Sequence, residues 1–169
     1  MATLVAALTF CGLVRSASGY DPVAVAHGRV PCAGALFVIA RVDRGRFGSW
    51  QCSRGSGRSP YELKCRESDA EVWILERIPA RPRVLATRPA LPRRFGRAVR
   101  ARLANWEFAL AWLPGARGNA EAFARRRGRR WLDLGPTRGL VCIDEIPRPV
   151  LQAWHLRPRT PHGGCFATG

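Results

Sequence analysis

Apolar residues run without a charge from position 2 to 14, stop at Arg15, and give way to the small residues Ser16-Ala17-Ser18-Gly19. Such a run is too short to span a bilayer and has the length of the apolar core of a secretory leader, with small residues where a signal peptidase cuts. This predicts a signal peptide at residues 1–19, although no basic stretch precedes the apolar core. A buried N-terminal strand or helix is the competing account. From Tyr20 to Pro31 the chain is polar and small, which predicts an extended arm. Residues 35–42 form an apolar, β-branched run and read as a short strand, with residues 48–52 pairing back after a turn. A Ser- and Gly-rich stretch at 53–60 reads as a loop, and 71–77 as the next strand. Prolines at 79, 82, 89 and 92 then oppose regular structure.

The clearest periodicity follows. Phe95, Val99, Leu103, Trp106, Leu110 and Leu113 recur at spacings of three and four, which predicts a helix over 95–113, ended by Pro114-Gly115. Phe108 and Trp112 fall off that face and form a second apolar face, either a partner surface or a sign of burial on two sides. A shorter helix is expected at 119–127, with Asn119 as its cap, and a strand at 139–144. Prolines at 147, 149, 158 and 161 predict an extended tail over 147–169. A chain of 169 residues suits one domain better than two, here placed at 20–146. The fold class is α+β: a small disulfide-linked domain with a short mixed or antiparallel sheet, one or two helices, an N-terminal arm and a C-terminal tail.

Charge changes this picture more than composition does. The chain carries 28 basic residues against 12 acidic, a formal net charge of +16, and Lys64 is the only lysine among them. Arginine codons are GC-rich and lysine codons AT-rich, so coding bias accounts for part of the imbalance. A basic surface attracts nucleic acid, glycosaminoglycan or anionic membrane whatever its origin. The run Arg125-Arg126-Arg127-Gly128-Arg129-Arg130, followed by Trp131, is the strongest nucleic-acid-like signal; its bland reading is a solvated loop. A secretory leader and a nucleic-acid role exclude each other, and the leader is the reading preferred here.

Removal of a leader takes Cys11 with it and leaves Cys32, Cys52, Cys65, Cys142 and Cys165. Exported chains normally pair their cysteines, and an odd number leaves one free or linked to another chain. No C-x-x-C spacing occurs, and only His162 lies near a cysteine, so neither zinc nor any cofactor is expected. His27, His155 and His162 fall in the arm and the tail. No nucleophile elbow, H-E-x-x-H or phosphate-cradling loop is present, and Asp144-Glu145 reads as a solvated turn. The chain is read as a binding protein and not an enzyme.

The leader-like start, Pro31-Cys32, Leu63-Lys64-Cys65, the strand Glu71-Val72-Trp73-Ile74-Leu75 and the late pair Cys142 and Cys165 together resemble glycoprotein L of herpesviruses, the alphaherpesvirus type. Cys52 is extra to that layout, residues 87–89 stand in for an aromatic Asn-Pro segment, and no N-x-S/T site occurs. The resemblance implies disulfides Cys32–Cys65 and Cys142–Cys165, with Cys52 a free thiol or an interchain link. It implies a non-catalytic subunit that binds glycoprotein H, assists its folding and transport, and joins the fusion machinery of the virion. Location would be the secretory pathway, then the virion envelope and host cell surface, with membrane reached only through the partner. Tyr20, Val23, Val25, Val30, Val72, Trp73 and Leu75 are the expected partner contacts. The alternatives are another secreted disulfide-containing binding module and an intracellular arginine-rich nucleic-acid-binding accessory protein.

Overall fold

The computed structural model describes residues 7–43, 48–86, 89–115, 118–159 and 164–168. Among these residues the architecture is α+β with strands predominating, two helices and three disulfides. The chain divides into two compact units, Met1–Pro79 and Ala80–Gly169, where a single domain over 20–146 was expected. The division falls between Pro79 and Pro82.

In the first unit, β1 (Thr9–Ser16), β2 (Gly19–His27), β3 (Gln51–Arg54), β4 (Tyr61–Glu67) and β5 (Ala70–Leu75) form an antiparallel sheet ordered β1-β2-β5-β4-β3. Residues 9–16, expected in a leader, are a strand paired from Thr9 to Ser16 with β2, and Leu13 is fully buried. The arm expected at Tyr20–Pro31 is largely β2, a strand with partners on both sides. Residues 35–42 form not a strand but most of α1 (Cys32–Asp43). Pro31 explains the switch: its carbonyl accepts the Ala35 N–H at 3.0 Å and opens the first turn. Ala35, Leu36, Val38 and Ile39 then share one buried helical face, against Val14, Val23, Val25 and Val72 of the sheet. The apolar run serves a helix because only that side of it is buried; Phe37 remains 55% exposed. Residues 51–54 accordingly pair with β4 instead of pairing back onto 35–42.

The second unit is a meander of β6 (Arg83–Leu85), β7 (Arg97–Leu103), β8 (Trp106–Trp112), β9 (Ala120–Arg126) and β10 (Leu132–Pro136), ordered β10-β9-β8-β7-β6. The expected helix over 95–113 is the hairpin β7–β8, with Arg97↔Trp112 through Leu103↔Trp106 in register. The turn is two residues, Ala104-Asn105, with Ala104 at φ 53°, the left-handed geometry that suits tight hairpins. Phe108, Ala109, Leu110 and Ala111 are all fully buried, so β8 is covered on both faces. A strand buried on both faces is a continuous apolar run, which also satisfies a helical spacing. The expected helix at 119–127 is β9: Ala120, Ala122 and Ala124 favour helix intrinsically, but pairing with β8 and β10 overrides them.

The expected tail is structured through most of its described length. Strands β11 (Leu140–Cys142), β12 (Arg157–Pro158) and β13 (Cys165–Ala167) make a third, three-stranded sheet ordered β11-β13-β12. Between them lies α2 (Arg148–Ala153), whose Pro149 sits in the first turn, where a missing N–H costs nothing. Val150, Leu151 and Phe166 are buried, which anchors a segment whose prolines had suggested looseness. His162 lies outside the described residues.

Candidate functional site

Three disulfides use every cysteine. Cys11 on β1 bonds Cys32 at the start of α1, with Cα atoms 4.9 Å apart. Cys52 and Cys65 stand directly opposite on β3 and β4, and Cys142 and Cys165 on β11 and β13. The expected Cys142–Cys165 pair is present. Cys32–Cys65 is not: Cys32 bonds Cys11, Cys65 bonds Cys52, and the odd thiol disappears once residues 9–16 belong to the fold. The disulfides suggest an oxidising secretory or extracellular environment. Among the described residues no helix is long and apolar enough to cross a membrane, and no group of three metal-ligating side chains occurs.

The expected partner contacts mostly face inward. Val23 and Val72 are fully buried; Tyr20, Val25 and Leu75 are buried; Val30 and Trp73 are half-buried. Val23, Val25, Val30 and Val72 meet in the cluster beneath α1. Trp73 instead donates its indole N–H to Glu71 at 2.5 Å and lies 4.9 Å from the Tyr61 ring. Burial pushes the Tyr20 phenol up to about 12, with Arg15 pulling the other way. These side chains build the first unit and present little surface to another molecule.

The polar structure of the molecule is organised by two glutamates that the hydrophobic pattern did not single out. In β4–β5, Arg66 stands opposite Glu71 and donates to it from Nε at 3.0 Å and Nη2 at 2.5 Å. In β7–β8, Arg102 stands opposite Glu107 and donates at 3.2 and 2.5 Å, while Arg125 on β9 holds the other oxygen at 2.8 Å. Both hairpins place the pair five positions apart around a two-residue turn, led by Ser68 at φ 52° and Ala104 at φ 53°. Burial alone would raise both carboxyls. Hydrogen bonds from Arg66 and Trp73 outweigh it at Glu71, and those from Arg102 and Arg125 outweigh it at Glu107, so both sit below the usual carboxylate range. The spacing itself, Arg66-(x)4-Glu71 and Arg102-(x)4-Glu107, is visible in the sequence.

Around Glu107 the second sheet carries a row of arginines. Arg83 on β6 is opposite Arg102 on β7, which is opposite Glu107 on β8, which is opposite Arg125 on β9. Directly opposed residues of antiparallel strands share a face, so these four side chains lie in one line across the sheet. The Arg125 guanidinium also covers the Trp131 ring at 4.4 Å. The basic run 125–130 therefore splits: Arg125 is held in the row, while Arg127, Arg129 and Arg130 are exposed in the turn after β9. The Arg127 N–H bonds the Asn105 carbonyl at 3.0 Å, which sets that turn beside the tip of β7–β8.

Other surface features carry less. A cleft of about 470 Å³ in the first unit is lined by Ser18, Asp21, Arg54, Glu62 and apolar neighbours, with no histidine or free thiol among them. His27 and His155 are exposed. Burial raises Glu145, helped by Asp144 and opposed by a backbone hydrogen bond at Cys142. No protein-family model, curated protein or solved structure matches the chain.

Proposed function

We propose that the chain acts as an exported, non-catalytic binding subunit, stabilised by its disulfides. The observation that carries the exported part is the pairing of all six cysteines within the chain. A binding role suits the chemistry: Glu71 and Glu107 are tied up as anions by arginine, and no described cysteine is free to act as a nucleophile.

The specific form of this reading is the glycoprotein L role, in which the chain pairs with glycoprotein H, supports its folding and transport, and reaches the virion envelope and the host cell surface through it. The Trp-containing strand β5 and the Cys142–Cys165 pair support it. The bonding of Cys32 to Cys11 departs from it. A partner surface is better sought at the exposed Phe37 of α1, with Arg41 stacked 4.1 Å from its ring, than at the buried valines beneath that helix.

Co-expression in a mammalian secretory pathway tests the reading. Co-purification of glycoprotein H with the wild-type chain, weakened by Phe37→Asp, is the expected result. A chain that is secreted alone as a stable monomer, with glycoprotein H reaching the surface equally well without it, would overturn the glycoprotein L form.

A further inference from the structure

Positive charge is concentrated in one half of the molecule. Residues 80–169 hold 18 of the 28 basic residues and 5 of the 12 acidic ones, a net +13 against +3 for residues 1–79. Coding bias acts on the whole chain and does not account for a doubling of arginine beside a fall in acids. Within that unit the excess has a geometry. Arg83, Arg102 and Arg125 stand on one face across four adjacent strands, a line of about 14 Å at ordinary strand spacing. The single carboxylate in the line, Glu107, is nearly buried and already shared by Arg102 and Arg125. It aligns the two guanidinium groups and leaves the row with a net charge of two. Exposed Arg127, Arg129 and Arg130 extend the positive surface at the same end of the sheet, beside Asn105.

We propose that this end of the second sheet is a binding site for a sulfated glycosaminoglycan. A guanidinium presents a fork of N–H donors that matches the oxygens of an oxyanion, and several in line suit a linear chain of sulfates. The choice of glycan over nucleic acid rests on the exported reading above and on one local feature. Single-stranded nucleic acid is gripped by stacking bases on exposed aromatic faces, and the aromatic here, Trp131, has a ring face covered by Arg125.

The test uses the disulfide-intact full chain on immobilised heparin and on fully desulfated heparin, at about 0.15 M salt, where diffuse attraction is screened beyond roughly 8 Å. Retention on heparin alone is expected. Arg127→Ser/Arg129→Ser/Arg130→Ser should weaken binding at least tenfold and lower the slope against log salt by about two to three, one per lost contact. These exposed turn side chains hold no ion pair with Glu107, so the fold should survive. Arg29→Ser/Arg54→Ser/Arg58→Ser removes the same charge from the first unit and should weaken binding less than twofold. Equal loss in the two triple variants, equal retention on desulfated heparin, or tighter binding to single-stranded RNA than to heparin each overturns the proposal. Export is scored separately, by the chain's presence in the medium or at the cell surface on co-expression with glycoprotein H. Loss of heparin binding by an exported chain removes this site alone, whereas absence from both the medium and the cell surface on co-expression with glycoprotein H removes the exported reading.

Discussion

Glu107 and Tyr20 show how single side chains set the pH range of the fold. Glu107 is held below its unfolded value by Arg102 and Arg125, and Glu71 by Arg66 and Trp73. A group depressed in the folded state contributes stability above its unfolded pKa, and that contribution is lost as pH falls through the folded one. Thermal stability should therefore hold from neutral pH to about 4.5 and decline below it. Glu145, raised by burial, works in the opposite sense and blunts the decline. Glu107→Gln should cost about 2 kcal/mol at neutral pH by leaving two guanidinium groups without their anion, and should flatten the acid limb. An unchanged acid limb in that variant, followed by circular dichroism, would show that the ion triad carries none of it. Tyr20 runs the other way: its raised pKa of about 12 means that neutral tyrosine stabilises the fold up to pH 10 and loses that effect between 10 and 12. Tyr20→Phe should remove this alkaline loss in a melting series over that range. At this scale the sequence was poorly legible. An Arg-(x)4-Glu spacing acquires meaning only once the hairpin turn between the two residues is known.

Elements were legible where one physical signal dominated and illegible where two coincided. Strand β5 was foreseen because Val72-Trp73-Ile74-Leu75 is a short apolar run with β-branched and aromatic residues, bounded by the charged Glu71 and Glu76. The hairpin β7–β8 was misread because Trp106, Phe108, Leu110 and Trp112 fall on one strand face, while Phe95, Leu103, Trp106, Leu110 and Leu113 satisfy a helical period. The off-face Phe108 and Trp112 were the discriminating residues, since a strand needs no second face to place them. The α1 segment failed for the converse reason: β-branched Val38 and Ile39 favour strand, but Pro31 and one-sided burial make a helix. The distinction has a direct test in side-chain deletion. Ile39→Ala, at a fully buried position on α1, should cost about 2–4 kcal/mol, whereas Phe37→Ser should change stability by under about 0.5 kcal/mol. Similar costs at both positions in chemical denaturation would indicate a strand covered on two faces.

At the scale of the molecule, every disulfide closes within one unit: Cys11–Cys32 and Cys52–Cys65 in the first, Cys142–Cys165 in the second. The cross-links therefore constrain each unit's own unfolded chain. Cys11–Cys32 bears also on the N-terminus, because cleavage after Gly19 would delete β1 and return Cys32 to a free thiol. Peptide mapping of secreted protein without reduction should recover Cys11 joined to Cys32; a mature chain beginning at Tyr20 would restore the leader and remove a strand from the sheet. The Cys142–Cys165 bridge gives the sharper test of modularity. It closes a separation of 23 residues and staples β11 to β13, which are three residues each and too short to hold by pairing alone. Cys142→Ala/Cys165→Ala should lower stability by about 3 kcal/mol. Hydrogen exchange should locate that loss in Leu140–Cys142 and Cys165–Ala167, with protection of β1, β2 and β5 unchanged. Uniform loss across both units would mean that they open as one cooperative block despite their separate cross-links.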